Sequence, residues 1–375
     1  MSGPSLLVAE TTTGRITDVL DHRDGVTGLR WSDTLNAAGS IDSVTIPMAV
    51  VRDLQLRDRT HGMRCSLAVE RDGALKQAGP ITGRAWNWEK GELTLSAGGL
   101  WTLLDKRVIY NDNDYPSGLR TFSNVSLGGL AVSLVQDMLN RIPPYTNLPI
   151  VLPAIESGDH TESFARWALS RYGEQLRQIT QRAVDAPDIH FQARRRGDDP
   201  RYIEWVMQVG SELMPSLSQG GPDWVFDTSA PKSPVLGIST DEDASSMATA
   251  SWVSGGGQEA DMKLTTGMVD DDLTLLNNGW PYMEVDEAHP TISDYTTLLD
   301  YAAALAARAG RPIEVFKVQV TGAAAAEVHP GDYARVITAG DVWLGDMDRT
   351  MRVKTVSGDL SDVVTLDMFP MQGLL

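Results

Sequence analysis

The sequence predicts a mainly β protein in which two β-barrel domains flank a small α+β domain. Three observations carry this reading. Short stretches of alternating apolar and polar residues fill both ends of the chain, the period of a half-buried strand. Apolar residues at three- and four-residue steps, the helical period, fall mainly in the middle. The two terminal β parts also follow a similar order of strands.

Residues 1–105 read as the first β domain, whose six or seven short strands suggest a barrel or a sandwich. Leu6–Ala9, Gly14–Leu20 and Leu29–Trp31 are short strand candidates, and Ser40–Pro47 alternates along its length. A strand through Met63–Glu70 runs into Asp72-Gly73, the dipeptide of a tight hairpin. Ile81–Trp88 and Leu93–Ser96 make a second hairpin around Glu89–Glu92.

Residues 106–230 change character. Leu127, Leu130, Leu134 and Met138 line one face of a helix over Ser126–Arg141, ended by Pro143-Pro144. Phe164, Ala168, Tyr172, Leu176, Ile179 and Ala183 predict a longer helix over Asp159–Val184, weakened at Gly173. Two strands follow at Ile189–Ala193 and Tyr202–Val209, and the proline-rich stretch 210–234 reads as a linker.

Residues 231–375 return to β structure, with strands at Leu236–Ser239, Ala248–Val253, Ile313–Thr321, Tyr333–Ile337, Thr350–Val356 and Asp362–Phe369. A helix at about 293–309 buries Leu298, Tyr301, Ala302 and Leu305, with Ser293 as its N-cap and Gly310 as its stop. The acidic segment 255–292 has no clear period. The echo between the β parts begins at Gly62 and Gly331, each opening a similar succession of strands that reaches Leu95 and Leu366 respectively. Two copies of one barrel per chain would let three chains set six similar barrels in a closed ring.

Composition limits the function. The net charge is −18, and it is unevenly spread: residues 231–375 hold 22 acids against nine bases, whereas residues 1–105 hold 13 against 11. Duplex binding needs the opposite sign, so specific nucleic-acid recognition is not expected. No apolar run is long enough to span a membrane, and the N-terminus lacks the basic and apolar stretches of a signal peptide. Cys65, the single cysteine, excludes an internal disulfide and a cysteine metal cage. It sits on an alternating strand and reads as a small buried hydrophobe.

Catalytic signatures are absent. The six histidines do not pair at helical spacing, and no phosphate-binding loop or nucleophile elbow occurs. Consecutive carboxylates such as Asp241–Asp243 and Asp270–Asp272 point alternately to opposite faces, which suits a solvated loop better than a glycosidase pair. Asp270–Asp272 offers hard oxygen ligands but lacks the spacing of a calcium loop. No metal site, cofactor or catalytic residue is therefore assigned, and the chain is read as a non-enzyme. Trp86 and Trp88 share one face of a strand, as in either a packing surface or a sugar platform.

Three segments resemble the central hub proteins of phage tails and baseplates, particularly minor tail proteins of long-tailed actinobacterial phages. They are Leu29–Ile41, Glu174–Thr180 and Val328–Val336. The resemblance implies a homotrimeric structural hub with two tube-like barrels at the tail tip of the virion, assembled in the host cytoplasm. It implies contact with the tail tube or a distal tail protein, with tip, spike or fibre proteins and with a tape-measure protein. Any wall-degrading module would then be a separate chain. An acidic bore would keep DNA mobile during ejection, and the candidate channel-facing acids are Asp270, Asp271, Asp272, Glu284, Asp286 and Glu287. The alternative from the residues is a carbohydrate-binding tip protein or a tail-associated cell-wall hydrolase.

Overall fold

The computed structural model describes residues 3–110, 118–140, 147–182, 186–217, 219, 224–257, 262, 264–268, 274–290, 292 and 294–370. The first part holds β1 (Ser5–Glu10), β2 (Ile16–Asp21), β3 (Arg30–Thr34), β4 (Ser40–Pro47), β5 (Cys65–Arg71), β6 (Ala74–Asn87) and β7 (Glu92–Gly98), with short helices α1 (Met48–Asp53), α2 (Leu56–Arg59) and α3 (Trp101–Leu104). The middle holds β8 (Leu119–Val125), α4 (Leu127–Asn140), β9 (Ile150–Val151), β10 (Ser157–Ala165), α5 (Tyr172–Ile179), β11 (Ile189–Arg195), β12 (Ile203–Val209) and β13 (Trp224–Asp227). The last part holds β14 (Val235–Asp243), β15 (Ala250–Ser254), β16 (Leu264–Met268), α6 (Thr274–Asn277), β17 (Glu284–Ala288), α7 (Tyr295–Ala309), β18 (Ile313–Thr321), β19 (Tyr333–Asp341), β20 (Gly345–Asp359) and β21 (Val363–Pro370). The chain groups into two compact units, one of residues 1–176, 187–239 and 316–375, the other of 177–186 and 240–315.

The larger unit is built on a 13-stranded sheet whose main path runs β14-β18-β21-β20-β3-β4-β7-β6-β5-β1-β2, with β19 beside β20 and β13 beside β19. Its middle is one four-strand pattern used twice, β14-β18-β21-β20 and then β3-β4-β7-β6. The match extends to irregularities. The β20–β21 ladder slips between Val353 and Thr355, and the β6–β7 ladder slips between Ile81 and Gly83. The carbonyl of Val353 accepts from the amide of Gly331, and that of Ile81 accepts from the amide of Met63. Phe316, Val318, Val320, Val364, Leu366 and Met368 are buried in one run; Ile41, Val44, Ile46, Leu93, Leu95 and Ala97 are buried in the other. The strand echo of the sequence thus has a counterpart in pairing and packing. No strand pairing among the described residues closes either run into a barrel, however; both belong to one open sheet.

The runs meet where β20 pairs antiparallel with β3, from Thr355 opposite Thr34 to Asp359 opposite Arg30. Trp31 lies opposite Gly358 and is 2% exposed. A Cβ on Gly358 would fall 2.9 Å from the indole, so only glycine leaves room for it. At the β5–β6 hairpin Asp72 and Gly73 both adopt positive φ, 50° and 80°, the form that a two-residue turn between twisted strands requires.

The middle part anchors on the first. Trp205 is fully buried and donates its indole N–H to the carbonyl of Ala78 at 3.1 Å. Trp101 donates to the carbonyl of Gly173 at 2.9 Å and packs edge-on against Phe191. Burying side chains of this size contributes about 1.5–3 kcal/mol each.

Two expectations fail here. Asp159–Val184 is not one helix: it begins in β10, passes through a single 3-10 turn at Arg166–Ala168, and becomes helical only in α5. Its apparent apolar stripe is divided between two elements. Phe164 packs against Phe122 across the β8–β10 ladder, where Thr121 and Ser163 also share a hydroxyl hydrogen bond of 2.7 Å. Cross-strand pairs of this kind override a weak helical period. Within the stretch read as a linker, Trp224–Asp227 forms β13, parallel to β19, with Phe226 buried.

The smaller unit centres on β15, paired antiparallel with β16 and parallel with β17. Helix α7 covers the sheet through Leu298, Tyr301, Ala302 and Leu305, which pack around Val253. The expected N-cap, Ser293, lies outside the described residues; Asp294 is the cap, its carboxylate accepting from the amide of Thr297 at 2.7 Å.

Candidate functional site

Strand alternation sorts the three described candidate acids. In β17 Glu284 and Asp286 are exposed on one face, while Val285 and Glu287 turn to the other. Glu284 accepts from the indole of Trp252 at 2.8 Å. Glu287 is half-buried and engaged: Arg308 of α7 donates to it at 2.9 Å, and His289 lies 3.1 Å away. The bond from His289 holds the Glu287 carboxyl below the usual carboxylate range, burial opposing and Arg308 assisting. Glu284 and Asp286 can therefore present negative charge outward, whereas Glu287 is spent inside the unit. Asp270, Asp271 and Asp272 lie outside the described residues.

The larger unit contains a buried polar seam with no counterpart in the sequence reading. His190 of β11 is 2% exposed. Its Nε2 lies 3.0 Å from both carboxylate oxygens of Asp33 on β3, and its Nδ1 lies 3.3 Å from the Gln208 side-chain oxygen. Burial works against its charge, but Asp33, by charge and hydrogen bond, pushes the pKa above that of a free histidine. Beside it, Asp188 pairs with Arg352 of β20 and accepts from Asn36 at 3.1 Å and from the amide of Leu217 at 3.1 Å. Asp332 accepts from Trp224 at 3.2 Å. The seam ties both four-strand runs to β11 and the residue before it: His190 meets Asp33 of β3, and Asp188 meets Arg352 of β20. Asp33 and Asn36 fall within a segment quoted for the resemblance, so the signal was polar residues flanking a strand end.

Among the described residues no group of three or more histidine, cysteine, aspartate or glutamate side chains converges on a metal position. No described helix is long and apolar enough to cross a membrane. Cys65 is buried, and burial pushes its thiol pKa up, which disfavours the thiolate a nucleophile needs.

No family model matches the sequence, and no curated protein matches it. Solved structures do. The tail protein of Neisseria meningitidis MC58 aligns over 99% of this chain and 98% of its own, with 15% identity and a TM-score of 0.56. The 43 kDa tail protein of prophage MuSo2 from Shewanella oneidensis aligns over 97% and 98%, with 11% identity and a TM-score of 0.56. Prophage tail protein gp18 from Listeria monocytogenes EGD-e aligns over 97% and 94%, with 11% identity and a TM-score of 0.51. From end to end, this chain has the fold of prophage tail proteins.

Proposed function

We propose that the chain is a structural protein of a phage tail, and specifically the hub that joins the tail tube to the tip or receptor-binding apparatus. The observation that carries this reading is the alignment with prophage tail proteins over nearly the full length of both chains. The repeated four-strand run supports the finer claim. Three copies supply six such runs, and closure into tube-like barrels is reached between chains rather than within one. The partners are further copies of the chain, the tube or distal tail protein, tip, spike or fibre proteins and a tape-measure protein. The virion tail tip is its location after assembly in the host cytoplasm. The three-part division at residues 105 and 230 belongs to the same reading. So does an acidic lining of the DNA path by Glu284, Asp286 and the Asp270–Asp272 run, against which a duplex does not adhere. The chain has no catalytic role in this assembly.

A tail-tip reconstruction with antibody-labelled chain tests the reading. Three copies at the tip, with no wall hydrolysis by the purified protein, is the expected result. Labelling elsewhere in the virion refutes the hub assignment, and a copy number of one or six refutes the trimer.

A further inference from the structure

The two faces of β17 in the smaller unit differ in what their carboxylates meet. On the covered face Glu287 already holds a guanidinium: Arg308 reaches it from α7 at 2.9 Å, beside His289, whose ring packs on Tyr301 with centroids 3.9 Å apart. Successive strand residues point to opposite faces, so Glu284 and Asp286 stand on the other face, and both are exposed. Glu284 is bound there by neutral groups, the indole N–H of Trp252 at 2.8 Å and the hydroxyl of Tyr282 at 3.3 Å, both donating to Oε1. Among the described residues Asp286 has no hydrogen bond or ion pair. Trp252 lies opposite Asp286 in the β15–β17 ladder, so one indole borders both carboxylates.

The occupant follows from charge and spacing. Residues 240–315 hold 14 acids against three bases, so the surface favours a cation. The covered face shows which cation these carboxylates take when one is in reach, a guanidinium. Guanidinium is planar, stacks on aromatic rings and bonds a carboxylate through two parallel N–H groups, which an ammonium does not. Glu284 and Asp286 are two residues apart on one strand, about 6.6 Å along the chain. An extended peptide with arginines at alternate positions has the same repeat. The rings and carboxylates lie along an open strand, at the end of the sheet β16-β15-β17; small-molecule sites are concave, and this layout suits a chain segment instead.

We propose that this face docks an extended segment of a partner protein that carries arginines at alternate positions, their guanidinium groups paired to Glu284 and Asp286 and stacked on Trp252 and Tyr282. The inference goes beyond the tail assignment and stands on the smaller unit alone. It also separates from the channel reading of the same acids. A repelling wall asks only for exposed negative charge, whereas docking asks for the two rings as well.

The test is a titration of the full-length protein into a fluorescently labelled peptide, Gly-Ser-Arg-Thr-Arg-Ser-Gly with blocked ends, read by anisotropy at physiological salt. Saturable binding is expected, and the matched peptide with lysine in place of both arginines should bind about tenfold more weakly. Asp286→Asn should weaken the arginine peptide by about tenfold, the worth of one charge-assisted pair. Tyr282 is 58% exposed, so Tyr282→Ala should keep the parent melting temperature while weakening binding by about three- to tenfold. Asp359→Asn removes the same charge from an exposed position in the larger unit and should change nothing. Absence of binding overturns the proposal. So does equal affinity for the two peptides, an unchanged affinity in Tyr282→Ala, or an equal loss in Asp359→Asn, because each reduces the attraction to net charge. Particles carrying Asp286→Asn that eject DNA normally, while the purified variant has lost peptide binding, uphold the docking and remove this acid from the channel.

Discussion

Asp33→Asn isolates the buried seam with almost no change in shape. In the parent protein both nitrogens of His190 have partners, the Asp33 carboxylate at 3.0 Å and Gln208 at 3.3 Å, an arrangement that suits the protonated ring. The side chain of Gln208 donates in turn to Gln192 at 3.2 Å, leaving its oxygen free to accept from His190. Removing the charge of Asp33 strands a buried cation or forces it to neutralise. Losing one partner of a buried pair costs about 3–5 kcal/mol; because Asp33 keeps 15% of its side chain exposed, the lower end applies. The pH dependence has a definite sign. His190 has its folded pKa raised above the unfolded value near 6.5. Its contribution is therefore complete below about pH 6.5 and is lost as pH rises through the folded pKa. Urea unfolding from pH 5.5 to 9 should show parent stability falling over that interval. In Asp33→Asn both the stability and that fall should be reduced. A loss below about 1 kcal/mol, or an unchanged pH slope, would refute the assignment of the seam as a charged clamp.

Trp31→Ala opens the β3–β20 junction and should cost about 3–5 kcal/mol, the range for removing a large buried aromatic, as measured by denaturant midpoint. Cys65→Ser should leave incorporation and infectivity intact while costing about 1–3 kcal/mol through a buried hydroxyl; loss of infectivity in assembled particles would reveal chemistry at the thiol. Gly99→Ala drives a methyl group into the carbonyl of Ala38, so the protein should fail to accumulate in soluble form, and a normal melting curve would contradict the packing described. Replacing Asp270–Asp272 with lysine should slow DNA ejection without blocking tail assembly, and the slowing should fade as salt shortens the screening length from ~8 Å at physiological strength; unchanged ejection would remove these acids from the channel.

The sequence alone determined what depends on neighbours along the chain. Alternation located most strands of the two terminal parts but not β16 and β17, which lie in the unassigned segment 255–292; Asp72-Gly73 set its hairpin because both positions take positive φ, and three- and four-residue spacing located α4 and α7. The concentration of acid in the last third is a property of composition. What the sequence could not carry was partnership between distant segments. Phe164 and Tyr172 fit one helical stripe on paper, and only the β8 ladder assigns the first to a strand. Asp33 and His190 are 157 positions apart, and neither shows from its surroundings in sequence that it meets the other. The echo of Gly62 and Gly331 was legible, but a barrel for each copy was not the outcome. Sheet closure is decided by which edges meet, and the chain joins its two runs at β3 and β20 while leaving β6 and β14 open. Edge pairing is made of backbone hydrogen bonds that every residue but proline can offer, so no side-chain pattern encodes it; only the folded sheet shows which edges remain free.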